Sequence, residues 1–351
     1  MSFTFVVPAE LPGPSGGTVY NESMMRALTD LGENVHRQDI SGLWPDPGHE
    51  AHAELACGLA PRGHYLVDGI IGLAAPEVLA DAQADGSKIH ILVHSLLSDT
   101  FFGEDPSRDH EFARHQEEAL QLADSVICTS SWAQAMVEDR YRLNHIHSVL
   151  PGTDPAAVAC GSQPPRILML GSLTRVKNQL VALQALTQLT DIPWQASLVG
   201  STDSDPEYAR AVQEFIRDNF AAGRVQLHGV QSGAELETIW QATDLLVLTS
   251  TTETYGMVVT EALARGIPAI VPANTGATEA LTGSAETAST ADDLPGAILD
   301  PSDLETLVQV LRTWLLDTMQ RHLWRAAALQ RRDELRSWTT AARELKGLIH
   351  G

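Results

Sequence analysis

The chain has 351 residues, 44% of them hydrophobic and 19% charged. That is long enough for two domains with separate cores and matches a soluble globular protein. A formal charge of −22 argues against a nucleic-acid surface, which needs clustered Lys and Arg, and disfavours docking on anionic lipid. Cys57, Cys128 and Cys160 are odd in number and widely spaced, so neither a disulfide framework nor a zinc site is indicated. The N-terminus lacks a basic segment followed by a long apolar one, and no run approaches the roughly 18–20 apolar residues of a membrane span. The expected setting is the cytoplasm.

In chain order, FTFVV (3–7) reads as a strand, followed by a Gly-rich turn and a helix from about Thr18 to Leu31. HYLVDG (64–69), IHILVHS (89–95) and SVICTS (125–130) read as buried strands, and IHSVLPG (146–152) ends this series. A second series comprises RILMLG (166–171), QASLVG (195–200), VQLHG (225–229), DLLVLTS (244–250) and IPAIVPA (267–273). Apolar strands alternating with helical patterns predict two parallel, doubly wound α/β units. PGTDPAAVACGSQPP (151–165) lies between them and reads as an interdomain linker or as one long loop. Later, Ser302 with Glu305 three residues on predicts a capping box. Leu304, Leu307, Val308, Leu311, Trp314 and Leu315 then form a core-facing stripe, and a last helix runs from about Ser337 to Ile349.

Ligands of open parallel sheets bind beyond the carboxyl ends of the strands, so residues just after strands are the informative ones. Ser15-Gly16-Gly17 follows the first strand and opens a helix: an anion site on free amides, or a plain turn. It is neither a dinucleotide fingerprint nor a P-loop. His94 closes IHILVH as a catalyst or a structural hydrogen bonder, and His110, His115, His145 and His147 show no metal-ligand spacing with it. Arg175 and Lys177 precede a helical run starting near Asn178, where cations oppose the macrodipole. They are solvated charges, or they share an anion with the helix amides.

In TTETYGMVVTEALARGIPAIV (251–271), Glu253 and Glu261 flank a Tyr-Gly-Met turn. The pair reads as an acid and base, as hydroxyl holders beside a phosphate-binding turn at Gly256, Met257 and Val258, or as an ordinary capped helix.

Taken with its context, this E-x7-E segment resembles that of the retaining family 4 glycosyltransferases of the GT-B fold. ADSVICTSSW (123–132), PGTDP (151–155), LGSLTRVKNQL (170–180), VQLHGVQSGAEL (225–236) and GAILDPSDLETLVQVL (296–311) fall in the matching order, so the resemblance spans nearly the whole chain. It implies two Rossmann-like domains facing each other across a cleft. Residues 1–152 would form the acceptor side, completed by a C-terminal helix at about 337–351, and 153–336 the donor side. The implied activity is transfer of a sugar from a nucleotide diphosphate sugar to an acceptor hydroxyl, with retention of configuration and with neither metal nor cofactor.

The resemblance also assigns roles. Gly16 and Gly17 would approach the donor's distal phosphate, and His94 would contact the donor sugar. Lys177 would neutralise the diphosphate. Glu253 would hold sugar hydroxyls, and the amides from Thr254 and Tyr255 to Gly256, Met257 and Val258 would meet sugar and phosphate. Glu261 would hold the ribose and Val230 would flank the base. One position departs from the family: Gly171 is followed by Ser172 rather than arginine. Arg175 is then the candidate for the second phosphate-facing cation. The departure keeps a non-catalytic sugar-nucleotide-binding subunit as an alternative, beside an epimerase or phosphorylase on the same fold. The expected acceptor is a small soluble molecule; its identity, the donor's base and sugar, and the oligomeric state have no signature in the sequence.

Overall fold

The structure, a computed structural model, describes residues 2–10, 15–97, 106–284 and 294–350, without the side chains of 106–109. The Pro-rich residues 11–14 before the Gly16-Gly17 turn, and residues 98–105 on the expected acceptor side, lie outside the described residues.

The chain divides into two compact units. One comprises the first strand, Gly16–Gly152 and the segment from Arg336 onward; the other is Thr153–Leu335.

The first unit is a six-stranded, all-parallel sheet in the order β2-β1-β3-β4-β5-β6. Its strands are β1 (Ser2–Pro8), β2 (Asn34–Ile40), β3 (His64–Asp68), β4 (Lys88–Val93), β5 (Ser125–Cys128) and β6 (Ile146–Ser148). Central strands such as β5 are buried at every residue, as a parallel sheet covered on both faces requires. Strand β2 was not legible as a strand: NVHRQDI has no apolar run, because it lies at the sheet edge with most of its residues exposed.

The second unit has the order β12-β11-β10-β7-β8-β9, again all parallel. Its strands are β7 (Arg166–Leu170), β8 (Gln195–Val199), β9 (Val225–Leu227), β10 (Leu245–Val247), β11 (Ala269–Pro272) and β12 (Gly296–Leu299). The short edge strand β12 was also not foreseen. The core stripe Leu307, Val308, Leu311, Trp314 and Leu315 is buried as its spacing predicts. The capping box is not formed. The helix Leu304–Leu316 is capped by Asp303, which accepts from the Thr306 amide at 3.0 Å, while Ser302 donates to Asp300.

The segment 153–165 is not a free tether. Ala159 donates its amide to Arg265, Cys160 and Gly161 donate to Gln241, and Ser162 donates to the Asp244 carboxylate. The segment is thereby laid along the second unit.

The last helix, Trp338–His350, packs on the first unit through Trp338, Ala341, Ala342, Leu345 and Ile349. Lys346 and His350 both bond Glu33, at 2.6 and 2.9 Å. A side chain at Gly152 would fall 2.2 Å from the Trp338 nitrogen, so only glycine permits this approach.

Candidate active site

Each sheet reverses its strand order at one place, the point beside which α/β sheets bind ligands. In the second unit that place is between β7 and β10. The turn after β7 carries Gly171 to Asn178, and the turn after β10 carries Leu248 to Gly256. The two are stitched together: Thr251 donates its amide to the Val176 carbonyl at 2.8 Å, and the Thr249 hydroxyl donates to the Asn178 carbonyl at 2.8 Å.

Across this seam Lys177 Nζ lies 2.5 Å from Glu253 Oε1. Glu253 is buried, whereas the Lys177 side chain keeps 33% of its surface exposed. The fully buried Ser250 hydroxyl donates to the same Oε1 at 2.8 Å. The sequence reading missed Ser250; its position at the buried end of DLLVLTS, three residues before Glu253, was the available signal.

Beyond Glu253 the chain turns through Thr254 and the buried Tyr255 into the helix Met257–Leu263. Gly256 has φ 82°, a conformation that favours glycine, and no side chain caps this helix end. The turn is braced by Gly276, whose amide donates to the Glu253 carbonyl at 2.7 Å. A side chain at Gly276 would stand 2.0 Å from the Thr254 carbonyl oxygen. No motif announced Gly276, because its role is to leave space.

Glu261 lies within the same helix, and burial pushes its carboxyl pKa up. Arg265 opposes that shift and Asp154, in the PGTDP segment, adds to it. Val230 follows Gly229 in the turn after β9 and is 47% exposed. Ser172 offers its carbonyl to Gln179 at 3.0 Å. Arg175 is turned onto two carboxylates, Glu207 at 2.5 Å and Asp205 at 3.7 Å, with 60% of its side chain exposed.

In the first unit the order reverses between β1 and β3, with β4 beside β3. Gly16 and Gly17 follow β1 as the first residues of the helix Gly16–Asp30, which begins two residues earlier than its pattern suggested. His94 follows β4, its Nε2 2.8 Å from the Asn21 carboxamide oxygen and 3.6 Å from Asp68 Oδ2. Burial lowers the His94 pKa and Asp68 partly offsets that. A Cβ on Gly17 would approach His94 Cδ2 to 3.0 Å, and the Tyr20 ring meets the imidazole edge-on at 5.1 Å.

The expected residues therefore fall into two groups, one per unit: Gly16, Gly17 and His94 in the first, and Ser172, Arg175, Lys177, Val230 and the 253–261 segment in the second. Among the described residues no group of three or more His, Cys, Asp or Glu is placed to hold a metal ion. No described helix is long and apolar enough to cross a membrane.

Comparison with solved structures gives the class. Sucrose-phosphate synthase from Thermosynechococcus elongatus superposes with TM-score 0.80 at 18% identity, over 99% of this chain and 98% of that one. Anabaena HepE, solved with UDP-glucose, gives 0.77 at 16% identity over 100% and 99% of the two chains. At such identities the likeness defines the fold alone, and that fold is GT-B.

The profile of the family described as glycosyl transferases group 1 matches residues 153–331, just over half of the chain, and the chain belongs to that family. Two curated relatives are 25% identical. Mannosylfructose-phosphate synthase of Agrobacterium fabrum matches over 263 residues, 69% of this chain and 56% of that protein. D-inositol 3-phosphate glycosyltransferase of Corynebacterium urealyticum matches over 277 residues, 72% and 63% respectively. The matched regions thus span less than two thirds of either relative.

Proposed function

We propose that this chain is a hexosyltransferase that moves a sugar from a nucleotide diphosphate donor to an acceptor hydroxyl, with retention of configuration and without a metal ion or other cofactor. The observation that carries the reading is the Lys177–Glu253 pair, set where the strand order of the second unit reverses and directly before an uncapped helix end. A cation from the turn after β7, with helix-start amides and a hydroxyl-accepting carboxylate from the turn after β10, matches the three parts of a sugar diphosphate.

In this reading Lys177 and the amides around Gly256–Val258 take the charge that builds on the departing diphosphate, the stabilisation a metal supplies in other transferases. Both bonds to Glu253 fall on Oε1, which leaves the second carboxylate oxygen to accept a sugar hydroxyl. Glu261 holds ribose hydroxyls and Val230 covers one face of the base. Gly17 lies close to the donor's phosphate and His94 contacts the sugar. The departing phosphate oxygen takes the acceptor proton on the face it leaves, so neither glutamate acts as a nucleophile, in contrast to retaining glycosidases. For Arg175 to serve as the second cation, it would have to leave Asp205 and Glu207.

HepE was solved with UDP-glucose, so uridine diphosphate hexoses are the first donors to test. Both curated relatives are named for small phosphorylated compounds, which supports a small soluble acceptor. A thermal-shift screen of nucleotide sugars identifies the donor, because a ligand at about 100 times its Kd stabilises by roughly 2.7 kcal/mol. Product NMR with that donor and candidate sugar phosphates then reads the anomeric configuration. Stabilisation by one donor family and a product of retained configuration are expected. Stabilisation without transfer to any acceptor would favour the binding-subunit alternative, which the serine at position 172 keeps open. Conversion of the donor alone would favour an epimerase.

A further inference from the structure

The donor reading gives no role to Asn21 and Asp68, which are among the buried polar residues of the first unit. Asn21 is one helical turn beyond Gly17, and Asp68 is the last residue of β3; both are under 5% exposed. They form a chain that ends on His94. Asn21 Nδ2 donates to Asp68 Oδ2 at 2.5 Å, and Asn21 Oδ1 lies 2.8 Å from His94 Nε2. Asp68 Oδ1 accepts the Ile70 amide at 2.9 Å, which anchors the carboxylate to the start of the next helix.

The chemistry of these groups fixes the direction of each bond. A carboxylate only accepts, so the carboxamide must turn its NH2 to Asp68. Its oxygen is then the atom facing the imidazole, and a carboxamide oxygen also only accepts. Nε2 must therefore carry the proton, and in the neutral ring Nδ1 is the acceptor. The direct distance from Nε2 to Asp68 Oδ2, 3.6 Å, is too long for a hydrogen bond. Asn21 thus acts as a neutral spacer. It transmits orientation from the carboxylate while keeping the imidazole from the full ion pairing that would favour its charged form. Gly17 on one edge and Tyr20 on the other restrict ring rotation.

We infer that Asn21, oriented by Asp68, is a positioning residue that holds His94 in the Nε2–H tautomer. Its catalytic consequence rests on the proposed donor-sugar role of His94: a ring held by its Nε2 bond meets the sugar in one orientation. Neither Asn21 nor Asp68 needs to touch substrate for this.

The test is a long-range 1H–15N spectrum of the full-length protein labelled at histidine, with His94 assigned by comparison with His94→Gln. Near neutral pH the wild type should show one neutral Nε2–H species for His94. Asn21→Leu should mix the tautomers. Asp68→Asn, which keeps the shape and the helix cap but lets the amide of Asn21 turn either way, should weaken the preference. Asn21→Asp should retain the Nε2 proton and raise the His94 titration midpoint by about one pH unit.

A mixed or Nδ1–H ring in the wild type, or an unchanged ring in Asn21→Leu, overturns the inference. With an active donor in hand, Asn21→Leu should lower kcat by about ten-fold with little change in donor KM. An unaltered kcat also overturns the positioning role. The spectra need no substrate, so failure to find any transferase activity would count against the proposed function while the spectra still decide the tautomer.

Discussion

Lys177 and Glu253 stand 76 residues apart in sequence, yet Nζ and Oε1 meet at 2.5 Å across the two strands where the second sheet reverses its order. Each side chain depends on the other for its place. Without Lys177, the Glu253 carboxylate keeps only its bond from Ser250 among those described. Without Glu253, Lys177, a third exposed, would be left without its carboxylate partner.

Lys177→Ala and Glu253→Ala should each lower turnover at least ten-fold, equivalent to about 1.4 kcal/mol of transition-state stabilisation. Water reaches Lys177, so loss of the pair should cost folding stability only about 1 kcal/mol. Steady-state kinetics beside denaturant titrations check both parts. Arg175→Ala, by contrast, removes an exposed cation turned onto Asp205 and Glu207. It should alter donor KM by less than about three-fold, which is about 0.7 kcal/mol.

Prior incubation with a strong chelator should leave the transfer rate unchanged, since Lys177 and the helix amides supply the charge stabilisation in the proposed mechanism. A rate that vanishes with chelator and returns with a divalent cation would contradict that mechanism.

Gly276→Ala tests the brace behind the turn. Its new methyl would sit 2.0 Å from the Thr254 carbonyl oxygen and break the register of the amide bond to Glu253. A stability loss of about 1–3 kcal/mol is expected. Donor affinity should fall with it, although residue 276 carries no chemistry of its own. Calorimetric titration on the folded variant separates the two effects.

Acid should loosen the first unit in two steps. His90 is held to about 4 by burial first and by His64 next, with their Nε2 atoms 2.7 Å apart. An unfolded histidine titrates near 6.5, so the unfolded state binds the extra proton first, and stability falls as pH drops from about 6.5 to 4. Glu33 is lowered to about 2 by its bonds from Lys346 and His350. Its contribution is present above the unfolded value near 4.5 and is lost as pH falls through about 2. Denaturation free energies measured across pH should lose the upper step in His90→Gln and the lower step in Glu33→Gln.

Much of the architecture was legible because buried parallel strands are written as apolar runs; HYLVDG and IHILVHS mark β3 and β4 directly. The edge strands β2 and β12 were not. NVHRQDI is mostly exposed, and GAIL is too short to distinguish from a turn. Of the candidate site, strand-end chemistry pointed to His94, Lys177 and Glu253. What stayed hidden was the support: Asn21, Asp68, Ser250 and Gly276 act through contacts between distant segments or through space left empty, and neither leaves a local pattern. The helix cap at Asp303 was misplaced by one residue because Ser302 matched a local motif, while the fold gave its hydroxyl to Asp300.

The central claim is that the Lys177–Glu253 turn binds the diphosphate of a sugar donor. Isothermal titration of wild type and Lys177→Ala with the nucleoside diphosphate of the identified donor, at fixed salt and without metal, tests it most directly. Binding by the wild type, and affinity at least ten-fold weaker in the variant, about 1.4 kcal/mol, is the predicted result. Equal affinity in two folded proteins would contradict the assignment.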